Sequence, residues 1–101
     1  MVKKVKDSEI LKEARRLIVD GQWRWICGAI TYCGLGTKRQ RWLLTAWINQ
    51  MLGLHAYYDE WLRENHRGAW ETLRLHNNCF REGRLAWLDW MIAECEKAEA
   101  A

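Results

Sequence analysis

A chain of 101 residues, half of them apolar and 29% charged, has the material for one domain around one core, which excludes both a two-domain protein and a disordered one. The net charge of +3 is modest but uneven: no acidic residue occurs from Gly21 to Tyr58, while Arg24, Lys38, Arg39 and Arg41 supply four positive charges there. Eight tryptophans and no proline are the strongest compositional signal. Each indole carries roughly 150–250 Å² to bury, and a body this short has a radius of gyration of about 13 Å, so at least two rings are expected on the outside.

In chain order, Asp7 or Ser8 is a natural N-cap, and Ile10, Leu11, Ala14, Leu17 and Ile18 behind it share one helical face. The first helix is expected over about residues 8–20, with Gly21 ending it. From Trp23 to Cys33, Trp23, Trp25 and Cys27 alternate as a strand would, yet turning the segment by about 100° per residue gathers Trp25, Ile26, Ala29, Ile30 and Cys33 on one side. That predicts a helix, with Gly28 placed where another backbone comes close. Gly34-Leu35-Gly36 is a turn, and Thr37 to Gln40 has the form of a capping box that starts a third helix near Lys38.

The inner face of that third helix is expected to be Leu43, Leu44, Trp47, Ile48 and Met51, closed by Gly53. Trp42 projects to the opposite side, among Lys38, Arg39, Thr45 and Asn49. A short helix follows over His55 to Arg67, with Gly68 as a break. Residues 66–98 form one long helix or two, with Asn77-Asn78 and Gly83 as candidate interruptions. The last helix carries a compact stripe of Leu85, Leu88, Met91, Ile92 and Cys95, with Trp90 off it beside Ala86 and Ala93 as a second outward ring. The fold class predicted is all-α: a compact single-domain bundle of five or six helices over residues 1–101.

Candidate chemistry is sparse. Ser8, the only serine, is explained by the cap, and no phosphate-cradling glycine loop or nucleophile elbow is present. His76 and Cys79 lie three apart on one helical face, but Cys27, Cys33 and Cys95 do not complete a zinc spacing, so the cysteines are expected as reduced core fillers and no metal or cofactor is expected. His55, Asp59, Glu60, His66 and Glu71 have no defining acid–base spacing, and an enzyme is not expected. The N-terminus, running through Lys3, Lys4 and Lys6 into an amphipathic helix, is unlike a secretory signal, and the uncharged run 42–58 falls short of the ~20 apolar residues that span a bilayer. A cytoplasmic location without membrane contact is therefore expected.

Lys38, Arg39, Arg41 and Trp42 are the partner-binding candidates, with Trp90 beside them. The cluster reads as a protein hot spot, where Trp and Arg are enriched, as an intramolecular cation–π pair, or as a base-stacking ring with phosphate-binding cations. Small Ala86 and Ala93 around Trp90 suit close approach of a second helix, a homodimer partner included.

Three stretches, Trp25-Ile26-Cys27-Gly28-Ala29-Ile30, Leu52-Gly53-Leu54-His55 leading to Trp61-Leu62, and Arg84-Leu85-Ala86-Trp87-Leu88-Asp89-Trp90-Met91-Ile92, resemble small uncharacterised proteins encoded by bacteriophages and prophages. That resemblance implies binding of a host protein, in the manner of anti-CRISPR and other anti-defence inhibitors, in the bacterial cytoplasm. The leading expectation is thus a non-catalytic protein-interaction module. A nucleic-acid-binding protein using the basic stretch 24–41 is the alternative.

Overall fold

In the computed structural model, which describes residues 4–101, the apolar spacing near the N-terminus becomes α1 (Asp7–Val19), with Ile10, Leu11, Ala14, Leu17 and Ile18 buried. Lys3 lies outside the described residues. Gly21 ends the run in a left-handed conformation, φ 76°, with its amide and that of Gln22 donating back to the carbonyls of Ile18 and Leu17. The chain then forms α2 (Ile26–Thr31), α3 (Lys38–Tyr57), α4 (Asp59–Asn65), α5 (Arg67–Leu75) and α6 (Arg81–Ala100). These six helices, with no strand among the described residues, make the all-α class a property of the molecule.

Packing follows a ring. Helix α1 lies against α6 and α2, α2 against α3, and α3 against α5, which returns to α6; α4 connects α3 to α5. Helices α1 and α6 run antiparallel, as a ladder of side chains shows: Lys12 meets Glu96 at 3.7 Å and Arg15 meets Asp89 at 2.8 Å. Inside the ring sit Ile30, Ile48, Leu62, Leu88, Met91 and the whole of Trp87. The body measures 45 × 33 × 19 Å, with a radius of gyration of 13.4 Å. Its thinnest dimension is less than two helix diameters of about 10–12 Å each, so most helices keep one side in water. Trp23, Trp25, Trp42 and Trp61 are accordingly exposed, Trp47, Trp70 and Trp90 half-buried, and only Trp87 among the indoles lies fully inside.

Several local expectations are corrected. The N-cap of α1 is Lys6, with no side-chain bond, and Ser8 does something else. Its hydroxyl donates to Glu99 Oε1 at 2.6 Å and its amide to Oε2 at 3.2 Å, clasping the start of α1 to the end of α6. The Ser8 hydroxyl holds the Glu99 carboxyl below its usual range. Because the carboxylate is the form favoured by folding, the clasp is present above the carboxylate range and lost as pH falls through it. Amide exchange in the last turns of α6 should accelerate on acidification, and Glu99→Gln should flatten that dependence; an unchanged acid response in the variant would exclude the clasp as its source.

Helix α3 does not close at Gly53. It continues to Tyr57, because a helical glycine with open space around it costs only about 1 kcal/mol in propensity. The following break is therefore at Tyr58, and the next at His66 rather than Gly68, which is inside α5. The Asn77-Asn78 interruption stands, separating α5 from α6, while Gly83 belongs to the first turns of α6. There the Asn77 carbonyl comes so near that a Cβ on Gly83 would lie 1.8 Å from its oxygen.

Candidate functional site

The turn at Gly34 and Gly36, both left-handed (φ 80° and 69°), brings the end of α2 beside the start of α3. Three sets of bonds fix that start. Thr37 Oγ1 accepts the Gln40 amide at 3.1 Å and Gln40 Oε1 accepts the Thr37 amide, completing the expected capping box. Gln40 Nε2 also donates to the Val5 carbonyl and to Asp7 Oδ1, both at 2.8 Å, tying α3 to the chain before α1. Arg41 Nη1 donates to the carbonyls of Leu35 and Gly36 at 2.9 and 2.8 Å. Arg41, one of the partner-binding candidates, is thus a half-buried brace of the turn.

Between the two helices lies a groove of about 410 Å³ lined by Thr31 and Tyr32 on one side and Lys38, Arg41, Trp42 and Thr45 on the other. Thr31 gives its only proton to the Cys27 carbonyl and Thr45 gives its own to the Trp42 carbonyl, so both hydroxyls face the groove as acceptors alone. Donors come from Lys38 and Arg41. No carboxylate, imidazole or thiol lines the groove.

The rings on either side are open to solvent: Tyr32 is 65% exposed and Trp42 63%. Tyr32 stacks on Trp23 with centroids 4.9 Å apart and planes at 9°. Trp23 in turn lies over Gly28, where an added Cβ would meet its Cε3 at 3.0 Å. The close neighbour that Gly28 admits is therefore an indole and not, as expected, a backbone. Tyr32 escaped the sequence reading because Trp23, which positions it, lies outside the helix, where helical spacing carries no information.

Of the other candidates, Lys38 lines the groove and Arg39 is exposed beside it without lining it. Among the described residues the cation–π pairs are Arg24 and Arg84 with Trp25, and Arg74 with Trp70. Trp42 has no such partner. Leu43, expected inside, is 48% exposed, while Leu44, Ile48 and Met51 of the same helix are buried.

Trp25, expected on the buried side of α2, is also 48% exposed: as the N-cap it has extended backbone, and the helical wheel does not reach it. Cys33 is half-buried just past α2. Trp90 is corrected outright. It is half-buried between Trp47 (5.4 Å) and Trp87 (5.3 Å, edge-on), and its Nε1 lies over Gly68, where an added Cβ would be a tight 3.2 Å away. Pairing of two copies through Trp90 loses the outward ring on which it rested.

Burial pushes Cys95 up to about 11, helped by Asp7 and Glu99 nearby, and burial also raises Cys27, against the Asn49 bond that lowers it. His76 and Cys79 are both exposed, and no three His, Cys, Asp or Glu side chains converge among the described residues. No helix is long and apolar enough to cross a membrane among those residues. Comparison with models of known families, with curated proteins and with solved structures finds no match for this chain.

Proposed function

We propose that this chain is a non-catalytic interaction module that binds a protein through the α2–α3 face, with Trp42 as anchor and Tyr32, Lys38 and Leu43 around it. The observation that carries this reading is Trp42 itself, 63% exposed on a helix start that is bonded in place, with no ring or cation paired with it among the described residues. Rings held on rigid elements bind with little further ordering cost. Leu43, 48% exposed on the next residue, favours a protein over a polyanion, because an aliphatic side chain offers nothing to phosphate. The partner surface that fits is acidic at its rim and apolar at its centre. A host protein is the partner class in keeping with the resemblance to phage-encoded proteins.

Trp42→Ala should weaken capture of that partner from bacterial lysate by at least about tenfold, since central Trp anchors cost about 2 kcal/mol or more when truncated. Its folding stability should stay within about 0.5 kcal/mol of the parent, as for surface changes in general. Capture that survives Trp42→Ala in a folded variant would refute the assignment. A second reading, single-stranded nucleic acid stacked on Tyr32 and Trp42, draws on the same open rings and on Lys38 and Arg39. It requires affinity that falls steeply with salt, whereas the protein reading requires a partner that resists nuclease treatment.

A further inference from the structure

A second concavity lies where the end of α1 meets the first turn of α6, lined by Trp23, whose ring stacks on Tyr32 of the Trp42 groove. It encloses about 280 Å³ and is lined by Ile18, Gly21, Trp23, Arg24, Arg81 and Arg84. Three of those six residues are arginines and none is acidic. The neighbouring carboxylates do not enter it: Asp20 pairs with Arg16 at 2.8 Å, and Glu82 is exposed.

Arg84 is the unusual member. It is 5% exposed, yet it meets no carboxylate among the described residues. Its Nη1 donates to the carbonyls of Asn78 and Cys79 at 3.1 and 2.9 Å, which leaves Nη2 without an acceptor, and Nε is buried with none. Nε is closed off from solvent, so Nη2 is the donor that Arg84 has left for a ligand. The flat face of the group rests on Trp25, 4.8 Å from the ring centroid. Burial, together with the positive charge of Arg24 and Arg81, pulls the Arg84 guanidinium below its ordinary value, the sign of a cation lacking its counter-charge.

Arg81 spends Nη2 on the Val19 carbonyl at 3.1 Å and keeps its other donors. A buried cation with two like charges beside it is costly unless an anion completes the set.

We propose that this cleft binds a phosphate group, met by Nη2 of Arg84 and closed over by Arg24 and Arg81. A phosphate monoester or the free ion brings up to two negative charges and enough acceptor oxygens for all three guanidiniums, which a carboxylate does not. The volume beyond one phosphate, walled by Trp23, admits the group that carries it. The site goes beyond the partner-binding reading and does not depend on it.

The test is a titration of the purified full chain with inorganic phosphate at constant ionic strength, followed by the fluorescence of the indoles at the cleft. Saturable binding with a dissociation constant of about 1 mM or tighter is expected. Arg24→Ala and Arg81→Ala should each weaken it at least about tenfold, the scale of one charged hydrogen bond, and Lys38→Ala, in the other groove, should leave it unchanged. Arg24 is exposed, so its removal leaves the fold in place even if Arg84→Gln does not fold. Adenosine monophosphate and phosphoserine, titrated in parallel, identify the carrier: tighter binding of either assigns that class, and equal binding to all assigns the free ion. Absence of saturation, or affinity unmoved by both Arg24→Ala and Arg81→Ala, overturns the site.

Discussion

Replacing Gly83 by alanine is expected to unfold this protein or cost it more than about 4 kcal/mol, beyond the range of most single substitutions. The added methyl would stand 1.8 Å from the Asn77 carbonyl oxygen and 2.5 Å from its carbon, and neither atom is the end of a flexible side chain. Relief requires moving the 76–80 connection away from α6, which also carries the carbonyls of Asn78 and Cys79 that hold Arg84. Helix propensity alone predicts the opposite sign, a gain of about 1 kcal/mol for Ala over Gly. Gly53→Ala is the internal control: its position is helical with nothing within 4 Å, so it should gain about 0.5–1 kcal/mol. Urea denaturation of the two variants compares them directly, and equal midpoints would refute the close approach at Asn77.

The second large effect is expected at Trp87. Its ring is wholly buried at the centre of the helix ring, edge-on to Trp90. Trp87→Ala should cost about 3–5 kcal/mol, the usual toll of an emptied aromatic site. For a domain of this size that lowers the melting temperature by more than about 12 °C. The Nε1 proton of Trp87 has no acceptor, so nothing polar is lost in Trp87→Phe, which should cost markedly less than Trp87→Ala. A phenylalanine variant as damaged as the alanine one would mean that the indole makes a polar contact inside the core.

Both predictions concern features that the sequence states only in part. Wherever a residue's surroundings are set by its own helix, they were legible: the buried stripes of α1 and α6, the stop at Gly21, the capping box at Thr37 and Gln40, and the outward Trp42 all follow from spacing within one element. Where they depend on a distant element, spacing is silent. Trp90 is half-covered because Trp47, on another helix, packs against it. Ser8 is taken from its capping role by Glu99, 91 residues away. Trp25 lies just outside α2, so the helical wheel that placed it on the buried side had no helix to act on.

The same division runs through the candidate site. Lys38 and Trp42 stand one turn apart on α3 and were found together; Tyr32 joins them only through its stack on Trp23, and Thr31 and Thr45 only through the packing of α2 on α3. The surplus of indoles, by contrast, was legible from composition, and the thin body makes its consequence plain. A molecule 19 Å across in its shortest dimension has more aromatic surface than interior to receive it.

Recognition through the α2–α3 face is tested most directly by hydrogen exchange on the free chain and on the chain bound to its captured partner. Protection is predicted over residues 31–45, centred on Trp42 and the start of α3, and it should vanish in Trp42→Ala. Protection confined to the outer sides of α1 and α6, with residues 31–45 exchanging as in the free chain, would contradict it.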